Sequence, residues 1–154
     1  VLRPGAVTLE MLEEVLGSVQ VDPALAGENI VPKAPGMKYT HYAPKVPLTL
    51  LEGSPAKMSQ GFQAEIARLA TAGKKTGVIV SREVSESLPE GIPVFVYGAQ
   101  GDLEAIAANL YEALRSFDEA AVDVLLAEGT GTAGLGLAIM NRLHKASGFR
   151  SIHV

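Results

Sequence analysis

Residues 35–44, with the sequence PGMKYTHYAP, gather side chains that can bind an anion or donate hydrogen bonds. The stretch holds two of the chain's four tyrosines, one of its three histidines and two of its nine prolines. Lys38 supplies a compact positive charge, while the tyrosine hydroxyls and the His41 imidazole offer short-range donors. Prolines stiffen the segment and lower the entropy lost when it covers a ligand. The stretch suits either a lid over phosphates or a carboxylate, or a linker pinned to a domain surface.

This stretch lies in a proline-rich region that runs from Pro32 to Pro47 and holds four prolines. Proline fixes φ and removes an amide donor, so we expect an extended linker rather than a helix or a regular strand. No acidic residue occurs between Glu28 and Glu52, while three lysines lie inside this interval. The linker is therefore cationic, although the whole chain has a formal net charge of -4.

A second candidate is the segment Gly129-Thr130-Gly131-Thr132-Ala133-Gly134, which fits G-x-G-x-x-G between a predicted strand and a predicted helix. Its backbone amides and the following helix N-terminus could bind an anion. The motif lies in the last strand–helix unit, and no acidic ribose partner follows about 20 residues later, which disfavours a dinucleotide site. A tight strand-to-helix turn requires the same small residues, and that interpretation stays open.

The elements that must position these motifs follow from the hydrophobic pattern. Short apolar segments predict strands at 48–52, 76–81, 93–98 and 122–128. Helices are predicted at 8–17 with Thr8 as N-cap, from Ser54-Pro55 to about residue 72, from Asp102 to about residue 117, and at 134–148. The second of these should bury Phe62, Ile66, Leu69 and Ala70.

Strands that are apolar on both faces and alternate with helices imply a parallel sheet covered on both sides. We therefore predict an α/β fold. It is a Rossmann-like three-layer α/β/α domain with a mainly parallel sheet, preceded by a helix and an extended linker.

The amino-acid composition excludes several classes of function and of binding site. The chain has 154 residues, 47% of them hydrophobic, which is enough for an ordinary core. Its acidic balance argues against a dedicated nucleic-acid surface. It has no cysteine, so disulfides and thiolate metal sites are excluded, and its three histidines lack metal-ligand spacing. No apolar run approaches the roughly 20 residues of a membrane span. We expect a cytoplasmic protein without a metal site of its own.

Several motifs together resemble the long, two-domain threonylcarbamoyl-AMP synthases. The stretch from Pro35 to Pro44 is similar to that family's interdomain signature K-Y-x-H-Y-x-P. The opening Leu2-Arg3-Pro4-Gly5, followed by a capped helix, resembles the end of its YrdC-like catalytic domain, and Asn141-Arg142-Leu143 resembles the end of its second domain. The resemblance implies three parts: a catalytic-domain tail at 1–31, an interdomain linker or lid at 32–47, and a Rossmann-like C-terminal domain at 48–154.

The resemblance also implies an activity for the full protein, which would be a nucleotidyltransferase. Threonine, bicarbonate and ATP would yield threonylcarbamoyl-AMP and pyrophosphate, and the product would serve to form N6-threonylcarbamoyladenosine in tRNA. Arg3 and Tyr42 would contact ATP, while Lys38, Tyr39 and His41 would complete the lid. Mg²⁺ would accompany the nucleotide, mainly on the catalytic domain.

We expect this chain to hold no catalytic residue and to be inactive alone, because the catalytic domain is its missing partner. The small-molecule partners would be ATP, L-threonine and bicarbonate; we expect a monomer that contacts neither membrane nor nucleic acid. The alternative is a stand-alone nucleotide-binding or regulatory module. Its crevice would lie at the strand ends, which carry Ser81-Arg82, Gly98-Ala99 and Glu128 to Thr132.

Overall fold

The computed structural model describes residues 1–25 and 43–154, and these residues form an α/β fold. The helices in the described residues are α1 (Leu9–Leu16), α2 (Pro55–Thr71), α3 (Arg82–Ser85), α4 (Leu103–Arg115) and α5 (Gly136–Ala146), with a 3-10 turn at Pro23–Leu25. The strands are β1 (Leu48–Glu52), β2 (Thr76–Ser81), β3 (Val94–Gly98), β4 (Val124–Glu128) and β5 (Ser151–His153). Helices and strands alternate from β1 onward, as the hydrophobic pattern predicts.

The strands form one parallel sheet in the order β3-β2-β4-β1-β5. β4 is central, with Leu125 opposite both Leu48 of β1 and Gly77 of β2. β2 is buried along its whole length, as expected for a strand covered by helices on both faces. The predicted mainly parallel sheet is confirmed.

Helices cover both faces of this sheet. Residues of α4 and α5 pack on one face, where Ile106 and Leu143 meet Leu50 of β1 and Ile79 of β2. On the opposite face α2 and α3 form a second core, with these buried members: Leu51, Met58, Phe62, Ile66, Leu69, Val78, Val80, Val84 and Leu126. The fold is thus the predicted three-layer α/β/α sandwich.

Two details of α2 differ from the sequence prediction. Phe62, Ile66 and Leu69 are buried as expected, but Ala70 is exposed, and Met58 fills the core one turn before Phe62. The apolar stripe of a helix advances by three or four residues, so the neighbour of Leu69 turns toward solvent. Ser54 is the N-cap residue but makes no side-chain capping bond, and Pro55 occupies the first turn as predicted.

The edges of the sheet were not predicted correctly. β3 is an edge strand in which Val94 and Val96 are 40% and 42% exposed, so it is not covered on both faces. The opposite edge is β5, whose segment Ser-Ile-His is too short and too polar to show a strand pattern. The four-residue helix α3 was likewise missed, because one turn of helix carries no periodicity.

The N-terminal segment lies against the domain through its turn at Gly5 and Ala6, which faces α4 and α5. In α1 the Thr8 hydroxyl accepts a bond from the Met11 amide and Gly17 ends the helix at φ 78°, as predicted. The helix buries none of its residues against the described parts of the chain. No helix among residues 1–25 and 43–154 combines the length and apolar character that crossing a membrane requires.

Candidate functional site

The topology opens a cleft at the carboxyl ends of the strands. The chain leaves β1 toward α2 on one face of the sheet and leaves the adjacent β4 toward α5 on the other face. Where neighbouring strands send their connections to opposite faces, the two loops separate and leave a crevice, which is the usual ligand position in parallel sheets. The sheet order therefore dictates where a binding site could form.

The cleft that results has a volume of about 270 Å³. Three strand–helix connections contribute to it, those that follow β1, β3 and β4. Its lining residues are Gly53, Pro55, Met58, Tyr97, Gln100, Gly101, Leu103, Ile106, Glu128, Gly129, Thr130 and Gly131. We call it the switch-point cleft.

Glu128, the last residue of β4, is the charged group of this cleft, and its side chain is almost completely buried at 2% exposure. Its Oε2 accepts a hydrogen bond of 2.7 Å from the Ser81 amide at the end of β2. Its Oε1 accepts one of 3.1 Å from the Gln100 side-chain amide. Because both oxygens accept, the side chain is bound in the manner of a carboxylate.

Tyr97 supports Glu128 from the edge strand. Its hydroxyl donates a 2.8 Å hydrogen bond to the main-chain oxygen of Glu128, and its ring is 1% exposed. Burial raises the pKa of Tyr97 above its ordinary value of 10.0, and the charge of Glu128 raises it further. Tyr97 is therefore a neutral donor at any physiological pH.

Gln100 holds the connection between β3 and α4 over the cleft. Its backbone amide donates a 2.7 Å bond to Glu83 Oε2, and this bond is the main reason that the pKa of Glu83 is lowered. Its side-chain amide contacts both Glu128 and, at 3.4 Å, the Pro55 carbonyl. One residue thus joins three strand ends.

The glycine-rich loop 129–134 follows β4 and precedes α5, as predicted, and it forms one wall of the cleft. Two of its amides are already used inside the fold: Gly129 donates to the Leu51 carbonyl at 2.8 Å and Thr130 to the sulfur of Met140 at 3.2 Å. The anion site predicted at Gly129 to Thr132 could therefore draw on the amides of Gly131 and Thr132. That anion site stays a prediction.

The same loop does bind one carboxylate of the chain itself. The Gly134 amide donates a 2.9 Å hydrogen bond to Glu10 Oε1 of α1. This bond is the main cause of the lowered pKa of Glu10, whose side chain is solvent-exposed. The amide that precedes α5 thus binds an anionic group, in keeping with the positive end of a helix.

Arg3 is the only ATP-contact candidate among the described residues, because Lys38, Tyr39, His41 and Tyr42 lie outside them. It is exposed, and its charge acts on Lys145 of α5, as does the charge of Arg142. Partial burial lowers the pKa of Lys145, and the charges of Arg3 and Arg142 lower it further. Three positive side chains therefore share one surface, which we call the Arg3 cluster.

A hydrogen-bonded pair beside the cleft was missed by the sequence prediction. His144 Nε2 lies 2.6 Å from Glu52 Oε1 and thereby links α5 to the end of β1. His153 of β5 lies 3.8 Å from the other oxygen of Glu52. Sequence separation hides this pair, since its members are 92 positions apart. The described residues contain no group of three or more side chains able to hold a metal ion.

Sequence reasoning placed Ser81, Glu128 and the glycine loop at the strand ends, and the structure brings Ser81 and Glu128 into contact. It missed Tyr97 and Gln100. The signal that could have identified Gln100 is its position, two residues after a strand end and two before the helix cap Asp102. Nothing in the local pattern distinguishes Tyr97 from any apolar strand residue.

Comparison with known proteins gives a consistent result. Residues 7–148 match the family described as threonylcarbamoyl-AMP synthase, C-terminal domain. The threonylcarbamoyl-AMP synthase of Bacillus subtilis is 46% identical over 151 residues, which are 98% of this chain and 42% of that protein.

Solved structures agree. The chain is similar to the crystal structure of Pyrococcus abyssi Sua5 complexed with L-threonine, with a TM-score of 0.87 and 45% identity over 99% of this chain and 43% of that one. A C-terminal Sua5 domain from Pyrococcus horikoshii aligns over its whole length with 73% of this chain, at a TM-score of 0.56 and 36% identity. The chain spans about two fifths of the length of the longer relatives.

Proposed function

The chain belongs to the family of threonylcarbamoyl-AMP synthase C-terminal domains, and from this premise we propose that it is the C-terminal part of such a synthase. The observation that carries the proposal is the family match over residues 7–148, in a chain that covers 42% of its Bacillus relative. The whole protein would then hold the activity, and this chain would supply an accessory domain and part of the nucleotide site. The chain alone would not make the adenylate.

The proposed reaction is a nucleotidyl transfer. Threonine and bicarbonate would form a carbamate, which attacks the α-phosphate of ATP with loss of pyrophosphate. The product, threonylcarbamoyl-AMP, would serve in tRNA modification. Such a reaction needs cations that stabilise the charge developing on the phosphates, and exclusion of water from the labile mixed anhydride.

Arg3 is our candidate for a phosphate contact at the edge of the catalytic domain. Its exposure leaves the guanidinium free to meet a bound nucleotide, and Arg142 and Lys145 add positive charge to the same surface. A cluster of like charges is unfavourable until an anion binds to it, which supports a phosphate contact here.

The lid part of the proposal rests on sequence, because Lys38, Tyr39, His41 and Tyr42 lie outside the described residues. Tyr42 would contact the nucleotide, and the other three would complete the lid. At the end of the linker, Lys45 bonds Glu119 beyond α4 at 3.2 Å, which ties this end of the segment to the C-terminal domain. An anchored end limits the conformations that a lid must search before it closes.

Mg²⁺ would accompany ATP, but the described residues do not fit a magnesium site of their own. Magnesium prefers several oxygen ligands in octahedral geometry, and no group of three or more candidate ligands is present among these residues. The ion would be held by the phosphates and the catalytic domain.

The test uses the full-length protein and measures threonine-dependent release of pyrophosphate from ATP. We expect Arg3→Ala and Tyr42→Ala each to lower kcat/KM by about 10- to 100-fold, as expected for loss of one charge-assisted or hydrogen-bonded contact. Arg68→Ala is the matched control, since Arg68 is an exposed arginine paired with Glu65 on α2. Full activity in both Arg3→Ala and Tyr42→Ala would reject the assigned roles, and absence of any threonine-dependent release would reject the enzyme assignment.

A further inference from the structure

Among residues 1–25 and 43–154, the Glu128 carboxylate in the switch-point cleft has no cationic partner. No lysine, arginine or histidine of these residues lines the cleft, and none of their ion pairs includes Glu128. A buried charge is normally paired, because removal from water costs several kcal/mol that only a counter-charge and hydrogen bonds offset. The two hydrogen bonds that it accepts from described residues come from neutral amides, so these residues do not neutralise its negative charge.

The carboxylate also has spare hydrogen-bonding capacity. Two carboxylate oxygens offer about four lone-pair positions, and the described residues fill two of them. Tyr97 also lines the cleft, and its hydroxyl, which donates to the Glu128 main-chain oxygen, keeps its capacity to accept. The polar floor of the cleft is therefore rich in acceptors.

The remaining lining groups are apolar or small. Met58, Leu103 and Ile106 provide apolar walls, while Gly129 and Gly131 leave room at the loop. A volume of about 270 Å³ lies just below the usual range of small-molecule sites, which begins near 300 Å³. The cleft is large enough for one small metabolite.

We propose that the switch-point cleft binds a small molecule whose primary ammonium group pairs with Glu128. An ammonium group donates three hydrogen bonds and carries a positive charge. It can therefore fill the open lone-pair positions of Glu128 and neutralise its buried charge. A neutral diol would fill the lone pairs but leave the charge, and a lone phosphate would be repelled by it. This site is separate from the proposed nucleotide contacts and does not depend on them.

Two classes of small molecule carry a primary ammonium group of this kind. A simple alkylamine would use Glu128 and the apolar walls alone. An α-amino acid would place its ammonium on Glu128 and its carboxylate near the amides of Gly131 and Thr132, the part of the glycine loop not already used. The sources differ in whether a carboxylate beside the ammonium strengthens or weakens binding.

The experiment is an amide NMR titration of this chain with ethylammonium chloride, L-alanine, AMP and, for ionic strength, potassium chloride. We expect saturable shifts at Ser81, Gln100 and the 129–131 amides with an ammonium probe, and none with potassium chloride. Tighter binding of L-alanine than of ethylammonium would identify an amino-acid site, and the reverse order an amine site.

Glu128→Gln should weaken binding of the ammonium probe at least tenfold, because the amide keeps the size of the side chain but not its charge. Glu90→Gln is the matched control at an exposed position between α3 and β3, and should leave binding unchanged. If Glu128→Gln fails to fold, Gly131→Phe serves instead. A Cβ at Gly131 meets nothing within 4 Å, so the new ring can obstruct the cleft while Glu128 stays intact.

Three results would overturn the inference. The first is the absence of saturable shifts with either ammonium probe. The second is unchanged affinity in Glu128→Gln and Gly131→Phe. The third is specific binding of AMP without binding of ammonium, which would make the cleft a nucleotide site.

Discussion

The Tyr97 hydroxyl donates to the main-chain oxygen of Glu128 at 2.8 Å, and this bond links two strands that are not neighbours. Tyr97 lies on the edge strand β3 and Glu128 ends the central strand β4, with β2 between them. The bond thus fixes the edge of the sheet to the residue that carries the buried charge. The contribution of this bond to the stability of the fold can be measured directly.

We expect Tyr97→Phe to lower the free energy of unfolding by about 1–3 kcal/mol, the usual cost of leaving a buried polar group without its partner. Urea denaturation monitored by circular dichroism measures it. Tyr111→Phe is the matched control, because Tyr111 is 52% exposed and its hydroxyl bonds the exposed Arg115. Equal losses in the two variants would show that the bond from Tyr97 to Glu128 contributes nothing special.

The start of α5 is tightly packed against the glycine loop. A Cβ at Gly136 would overlap the carbonyl oxygen of Gly131, whereas a Cβ at Gly131 would stand in open space. We expect Gly136→Ala to destabilise the fold by about 1–3 kcal/mol through this overlap, despite the better helix propensity of alanine. Gly131→Ala should change stability by less than about 0.5 kcal/mol. Thermal unfolding compares the stability of the two variants. An unchanged stability in Gly136→Ala would contradict the close approach of the Gly131 carbonyl to Gly136.

The contact between Glu10 and Gly134 predicts a pH dependence. The Gly134 amide lowers the pKa of Glu10 below its ordinary value of 4.5 in the folded state. The contact is therefore complete above pH 4.5 and is lost as pH falls through the lower folded-state pKa. The Gly134 amide shift, followed by NMR, should titrate with a midpoint below 4.5. In Glu10→Gln this titration should disappear, and a midpoint at or above 4.5 would exclude the contact.

The Arg3 cluster predicts a coupling between two cations. Burial, Arg3 and Arg142, in this order, lower the pKa of Lys145 from its ordinary value of 10.5. Removing one like charge in Arg3→Ala should raise that pKa, while burial keeps it below 10.5. NMR titration of the Lys145 side chain measures the shift. Arg68→Ala should leave the pKa of Lys145 unchanged. An unchanged pKa in Arg3→Ala would show that the charge of Arg3 does not act on Lys145.

Much of the fold could be predicted from local patterns. Thr8 and Asp102 each cap a helix as expected, and the apolar residues 78–80 indicated strand β2, all six residues of which are buried. Errors occurred where the local signal was weak, as at β5, or where burial depends on distant elements, as at Val94 and Val96. An apolar strand has the same sequence pattern whether it lies at the centre or at the edge of a sheet.

The sequence by itself determined the order of helices and strands, the parallel α/β class and the linker motif that resembles one enzyme family. These features depend on neighbouring residues, through periodicity, caps and prolines. Only the tertiary structure decided that Tyr97 and Gln100 bind Glu128, which the sequence had placed with Ser81 at the strand ends. These contacts depend on the order of the strands in the sheet, and they join residues as far apart in the chain as Ser81 and Glu128, which are separated by 47 positions. A local sequence pattern contains no information on packing over such a distance.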